Sequence, residues 1–323
     1  ITPKSETLVG SVVTTATTQQ LGQIISRRGH RLVVQPVGEG KAPLPPPIHC
    51  SQRKRLPPLV VGDQVYWEST SKREGVIVAL IERKSLLSRP DPFNQRRKPI
   101  AANIDQIIIV TASEPGIDLL QIDRILVAAA AISLPAILLI NKRDLLSESE
   151  YQKLQSSLHP YQSAAAPLLW VSTQTEDGLT LLQQQLQDSV TVLVGPSGGG
   201  KSSIIQALLP HQEVMIGALS EASGHGRHTT SVTTLYPLPE GGALIDSPGI
   251  REFGVWDIDK ETIQGGFVEF QLYAGQCRFS NCNHLHEPGC AISAAVKSGA
   301  IARSRFENYQ NLINNCQEKR SWQ

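Results

Sequence analysis

Gly195-Pro196-Ser197-Gly198-Gly199-Gly200-Lys201-Ser202-Ser203 is the stretch of the chain whose residue types and spacing carry the most chemistry. Glycines bracketing four residues and followed by Lys-Ser form a phosphate-cradling loop. Without Cβ atoms, successive backbone N–H groups can curl around an anion. Lys201 would reach the β- and γ-phosphates of a nucleotide, and the Ser202 hydroxyl would face Mg²⁺. The start of the following helix adds partial positive charge. The flanks fit: an apolar run at 189–194 reads as a strand, and 204–209 reads as a helix.

Two further motifs close strands of their own. Asp246-Ser247-Pro248-Gly249 lies 45 residues after Lys201, where a carboxylate could orient the Mg²⁺ shell and the Gly249 N–H could face a γ-phosphate. Asn141-Lys142-Arg143-Asp144 reads as a guanine-selecting motif. Asp144 would accept hydrogen bonds from the N1–H and the 2-amino group, donors that adenine lacks. Asn141 and Lys142 would brace the base and the phosphate loop. Val171-Ser172-Thr173, after the next strand, would pack over the base. Between phosphate loop and Asp246 lies Ser223-Gly224-His225-Gly226-Arg227-His228-Thr229-Thr230-Ser231, a glycine-rich switch candidate. Thr230, with Thr229 as the alternative, would close on Mg²⁺ and the γ-phosphate. Ile250 stands where many GTPases carry a water-orienting Gln, and Ile cannot hydrogen-bond a water. His228 is the best-placed polar substitute, its other reading being an exposed loop histidine. The order runs guanine motif, base loop, phosphate loop, switch, D-x-x-G. An ordinary GTPase begins with the phosphate loop, so this chain reads as a circular permutation, which surface termini allow.

A third cluster is Cys277, Cys282, His284 and Cys290, with His286 as a competing ligand. Three thiolates and an imidazole are the ligand set of a closed, structural, tetrahedral zinc site. Cys50 and Cys316 stand alone, and five cysteines without a secretion signal argue against a disulfide framework.

The rest of the chain must position these groups. Its 323 residues, 40% hydrophobic and 18% charged, suit two or three globular domains. No apolar run reaches the ~20 residues of a membrane span, so a cytoplasmic protein with no membrane partner is expected. Ile1-Thr2-Pro3-Lys4 shows neither a signal-peptide pattern nor an initiator Met, which leaves the true N-terminus open. The net charge of +1 hides an asymmetry: residues 1–100 hold 16 Lys+Arg against 7 Asp+Glu, the remainder 14 against 22. A basic N-terminal third suggests a polyanion partner. β-rich runs at 7–18, 21–25, 31–37, 64–68 and 75–81, with a proline-rich loop at 38–48, suggest a small barrel of OB type. Residues 83–98, basic and proline-punctuated, read as a linker. From 103 strands and helices alternate: strands at 104–111, 135–140, 168–172, 231–238 and 242–246, helices at 118–132, 147–158 and 178–187. That predicts a doubly wound sheet. Beyond 255 come a short helix, the cysteine cluster and a helix-like tail at 291–319. The expected fold class is therefore multidomain: an all-β OB-fold barrel (1–95), a permuted α/β P-loop GTPase domain (96–255) and a mostly α zinc-binding domain (256–323).

Taken together, these motifs resemble the RsgA (YjeQ) family of circularly permuted GTPases. The resemblance extends to Ala101-Ala102-Asn103-Ile104-Asp105-Gln106, Gly226-Arg227-His228-Thr229-Thr230, Asp246-Ser247-Pro248-Gly249-Ile250-Arg251-Glu252-Phe253 and Glu287-Pro288-Gly289-Cys290. It implies GTP hydrolysis to GDP, stimulated by the small ribosomal subunit, and a role late in that subunit's maturation. It also implies rRNA contact, one structural Zn²⁺, Mg²⁺ with GTP, and His228 as the water-positioning residue. Nothing suggests an obligate oligomer, so a monomer is expected. The alternatives are an RNA-binding assembly factor with GTP as a structural ligand, and a GTPase acting on another RNA partner.

Overall fold

The computed structural model describes residues 19–37, 45–90, 97–163, 167–209, 233–247 and 259–320. The strand expected at 7–18 and most of the proline-rich loop lie outside these residues.

Five strands close on themselves: β1 (Gln20–Arg28), β2 (Arg31–Pro36), β3 (Ile48–Gln52), β4 (Gln64–Ser71) and β5 (Glu74–Leu80). Their order is β1-β2-β3-β5-β4, and β4 returns to pair with β1. β3 and β5 run parallel while the other neighbours are antiparallel, the OB-type arrangement. Inward residues alternate along each strand, so Ile24, Leu32, Val34, Val65, Trp67 and Ile77 fill the barrel. β3 was not foreseen: only Ile48 and Cys50 face inward, too few for a period-2 signal.

Within the expected linker at 83–98, residues 86–90 and 97–98 are instead strand. β6 (Leu86–Pro90) pairs antiparallel with β7 (Arg97–Ala102). Prolines masked it in the sequence. Pro99 is tolerated because it faces Ser88 beside a register shift, where a ladder bond is already missing. Buried Leu87, Ala101 and Ala102 anchor the hairpin, while Arg89 opposes Lys98.

The second sheet runs β10-β9-β8-β11-β13-β12, built from β8 (Gln106–Ala112), β9 (Ala136–Asn141), β10 (Leu168–Trp170), β11 (Val190–Val194), β12 (Thr233–Pro237) and β13 (Ala243–Asp246). Only β12 is antiparallel to its neighbour in this sheet. β8 and β9 are buried along their whole length, as central parallel strands covered on both faces must be. α1 (Leu119–Ala131) and α2 (Glu148–Ser163) pack on one face. α3 (Leu179–Leu186) and α4 (Lys201–Leu208) pack on the other. Asp118 caps α1 by accepting from the Gln121 N–H at 3.0 Å. Ser147 opens α2 with a reciprocal capping box on Glu150. Barrel and sheet are joined where Ser26 and Arg27 of β1 pair with Thr234 and Thr233 of β12.

The C-terminal lobe comprises α5 (Lys260–Gly266), a 3-10 turn (Val268–Tyr273), α6 (Ala291–Lys297) and α7 (Arg303–Arg320). The expected continuous tail is broken at Ser298-Gly299, where Gly299 takes left-handed backbone at φ +79°. The lobe's core of Ile263, Phe267, Phe270, Tyr309 and Ile313 includes Val127 of α1. Gly266 sits so close to Val127 that a Cβ there would lie 2.7 Å from its Cα.

Candidate nucleotide site and metal centre

The phosphate loop leaves the end of β11 and enters α4. At Gly195, φ is +131° and a Cβ would stand 2.1 Å from the Val110 carbonyl oxygen, so no side chain fits. At Gly200, φ is +88° and a Cβ would meet Asn141 Nδ2 at 2.1 Å. The loop is thus pressed against β8 and β9. Pro196, Ser197, Gly198 and Gly199 form its turn, and Lys201 Nζ donates to the carbonyls of Gly195 (2.8 Å) and Pro196 (2.6 Å). A cavity of about 510 Å³ lies over it, bordered by Ser202, Ser203, Lys142, Gln121 and Asp246. Asp246 ends β13, and next to it the Ser247 hydroxyl meets Thr233 Oγ1 at 2.7 Å.

The guanine motif follows β9. Buried Asn141 donates through Nδ2 to the Gly199 carbonyl at 3.2 Å, joining this motif directly to the phosphate loop. Lys142 takes left-handed backbone (φ +60°), and its Nζ donates to the Glu114 carbonyl at 2.8 Å. The Arg143 N–H donates to the Val171 carbonyl at 3.1 Å. Asp144 Oδ1 accepts from the Ser172 hydroxyl at 2.5 Å. That hydroxyl accepts from the Gln174 and Thr175 N–H groups, which holds the Thr173 turn against Asp144. Lys142 of the guanine motif, the phosphate loop and Asp246, far apart in the sequence, therefore line one cavity. His228, Thr229, Thr230, Gly249 and Ile250 lie outside the described residues. Gln121 was not foreseen; nothing in the local pattern of α1 marks it.

In the C-terminal lobe the ligand atoms of Cys277, Cys282, His284 and Cys290 all lie within 4.8 Å of one another. A tetrahedral zinc with Zn–S near 2.3 Å separates its ligand atoms by about 3.5–3.8 Å. His284 Nδ1 stands 3.5 Å from Cys277 Sγ and 3.4 Å from Cys290 Sγ, so the residues fit such an ion. Burial holds the His284 ring below its ordinary pKa, the direction that favours the neutral imidazole that ligation requires. The loop is pinned by Glu287, whose carboxylate accepts from the N–H groups of Asn283, Leu285 and His286. His286 is exposed and outside the cluster.

A buried ionic network also escaped the sequence. Arg305 of α7 pairs with Asp123 of α1 and, at 2.7 Å, with Glu269. Asp123 accepts further from Asn308 (2.6 Å) and the Tyr161 hydroxyl (3.1 Å). The available signal was a lone carboxylate among the apolar positions Ile122, Ile125 and Leu126 of α1.

The phosphate loop after the central strand, the guanine motif upstream of it and Asp246 downstream define a circularly permuted P-loop GTPase. The family model described as RsgA GTPase matches residues 80–256. The chain is 44% identical over 306 residues to the small ribosomal subunit biogenesis GTPase RsgA of Hahella chejuensis, covering 93% of this chain and 86% of that protein. The chain belongs to the RsgA GTPase family. The protein of the same name from Actinobacillus pleuropneumoniae serotype 5b is 46% identical over 276 residues, 84% of this chain and 80% of that one. Among solved structures, YjeQ from Thermotoga maritima superposes with a TM-score of 0.75 at 30% identity, covering 93% of this chain and 99% of that chain. YloQ, a circularly permuted GTPase, gives 0.74 at 26% identity over 96% and 99%.

Proposed function

We propose that this chain hydrolyses GTP to GDP and phosphate while bound to the small ribosomal subunit, and acts in that subunit's biogenesis. The observation that carries this reading is the Asn141–Gly199 hydrogen bond. It joins base recognition and phosphate binding into one site, in a chain whose relatives are named for that subunit. Lys201 and the loop N–H groups stabilise charge on the phosphates. Ser202 and Thr230 would hold Mg²⁺ and Asp246 would orient its shell; when bound, the ion would supply charge neutralisation to the phosphates. The Gly249 N–H would face the γ-phosphate, and His228 would orient the attacking water that Ile250 cannot. Asp144 reads the guanine edge, with Ser172 and Thr173 closing over the base. Cys277, Cys282, His284 and Cys290 hold a structural zinc. The basic barrel contacts rRNA, Arg27, Arg28 and Arg31 flanking its β1–β2 turn. Units 1–95, 96–255 and 256–323 serve these roles in turn, the β6–β7 hairpin crossing the first boundary. The protein acts as a cytoplasmic monomer. No helix among the described residues is long and apolar enough to cross a membrane.

The test is GTP turnover with and without purified small subunits, with Lys201→Ala as background. Strong stimulation that vanishes in the variant is the expected result. Binding to subunits without turnover would instead favour an assembly factor with GTP as a structural ligand. Turnover indifferent to subunits would point to another RNA partner. A second prediction addresses the base: Asp144→Asn should weaken GTP binding on the order of tenfold or more and favour xanthine nucleotides, since a charged hydrogen-bond acceptor is lost. Retained guanine preference in nucleotide competition would refute the assignment.

A further inference from the structure

Arg143 stands between two guanine-site residues, yet its side chain turns to other partners. Its guanidinium carbon lies 4.0 Å from the centroid of the Tyr151 ring. Nη1 donates to the Leu146 carbonyl at 3.2 Å, and Nη2 reaches Glu148 at 3.4 Å. The Tyr151 ring meets Trp170 edge-on, with centroids 4.7 Å apart and planes at 71°. Trp170 ends β10, two residues before Ser172, and the carbonyl of the intervening Val171 accepts the Arg143 N–H. The stack therefore ties together the turn that carries Asp144, helix α2 and the strand that leads to Ser172.

We propose that the Arg143–Tyr151–Trp170 stack is the positioning device for guanine specificity in this chain. The proposal rests on the reading of Asp144 as the base-recognition residue. Two donors on the guanine edge demand that one carboxylate plane be held in a fixed orientation. One Asp144 oxygen is engaged by Ser172, so the carboxylate's tilt follows the relative position of the turn at 143–145 and the loop at 171–173. The β9–β10 pairing and the bond from the Val171 N–H to the Ile140 carbonyl align the strand ends, and beyond them the stack and the Arg143–Val171 hydrogen bond set that position. The Glu148 ion pair is a weaker hold, because the Glu148 side chain is 70% exposed and surface pairs contribute little. A planar cation over an aromatic face, backed by an edge-on indole, keeps its geometry better. Tyr151 and Trp170 are positioning residues, reaching the base only through Arg143 and the Val171–Ser172 backbone.

The experiment compares equilibrium binding of GTP and of ITP, which lacks only the 2-amino group, to the full chain and its variants. The wild type should prefer GTP by roughly tenfold or more, one hydrogen bond to a charged acceptor. Tyr151→Leu should lose most of that preference and Tyr151→Phe should restore it, since the ring is kept. Arg143→Lys keeps charge and reach, and so the fold, but an ammonium lacks the flat fork that stacks and bonds at once. It should also lower the GTP:ITP ratio, and it decides the matter if Tyr151→Leu fails to fold. A wild type that discriminates, with variants that weaken GTP and ITP equally, would overturn the stack's role and leave Asp144 in place. A wild type that binds GTP and ITP alike would overturn the Asp144 reading and the stack with it.

Discussion

Replacing Arg305 by alanine should destabilise the chain by about 3–5 kcal/mol, a large share of the stability of a typical domain. The guanidinium is 2% exposed and the Asp123 side chain fully buried, so truncation strands a carboxylate inside the interface between α1 and the C-terminal lobe. Glu269 loses its partner in the same step. The rings of Phe267 and Tyr161, 4.6 and 5.1 Å from the guanidinium carbon, lose a packed cation. Asn308 and Tyr161 still donate to Asp123, but neutral donors do not balance a buried charge. Removing the charge together with its partner, as in Asp123→Leu with Arg305→Met, should recover most of the loss. Chemical denaturation of the wild type, the single variant and the double variant checks this. A single variant within about 1 kcal/mol of wild type would show the network to be energetically idle.

The pH dependence follows with a definite sign. Burial pushes the Asp123 carboxyl up to about 6, against the pull of Arg305. A carboxyl raised in the folded state holds a proton that the unfolded chain releases, so its contribution to stability falls as pH rises through that window. Without Arg305 the window extends upward. The deficit of Arg305→Ala relative to wild type should therefore be smaller near pH 5.5 than near pH 8.

Much of this architecture was legible because it is local. Continuous apolar runs ending in Asn141, Gly195 and Asp246 announced parallel strands with functional loops at their carboxyl ends, and the glycine spacing fixed the phosphate loop. The sequence reading set Asn141 against that loop, and Asn141 does meet the Gly199 carbonyl, while Asp144 meets Ser172 of the loop after β10. The hairpin was illegible because Pro90 and Pro99 read as punctuation, and a bulge can absorb a proline that a regular ladder cannot. β3 was illegible because two inward residues do not make a period. The Arg305–Asp123 pair is separated by 182 positions, and no window along the chain contains both. The Arg143 stack has the same character, being assembled only when the turn, α2 and β10 meet.

Stripping the metal from the Cys277–Cys282–His284–Cys290 cluster should melt the C-terminal lobe while nucleotide binding persists. Between the 3-10 turn and α6 the chain has no helix or strand, so its backbone is held by Glu287, by a few bonds such as Tyr309 Oη to the Asn283 carbonyl, and by the proposed metal ligands. The lobe is small, and Cys282 and Cys290 are two of the twelve buried residues of its core. A structural zinc contributes an apparent ~10–16 kcal/mol in finger-sized peptides, more than such a core supplies alone. Three sulfurs left within 4.8 Å of one another without the ion add repulsion wherever they ionise. The phosphate loop rests on β8 and β9 and its helix belongs to a separate core, so GTP affinity should change by less than about tenfold, or about 1.4 kcal/mol. The measurement is metal content before and after chelation, followed by near-UV circular dichroism and limited proteolysis, with Cys290→Ser alongside. One zinc per chain, and cleavage confined to residues beyond 259 once it is removed, is the expected outcome. Arg305→Ala separates the two effects: it loosens the lobe's grip on α1 yet should retain its zinc, because Arg305 pairs with Asp123 and Glu269 and with none of the four proposed ligands. A chelated chain with unchanged near-UV signal and protease resistance would mean that packing alone holds the lobe and that the ion is dispensable to its fold.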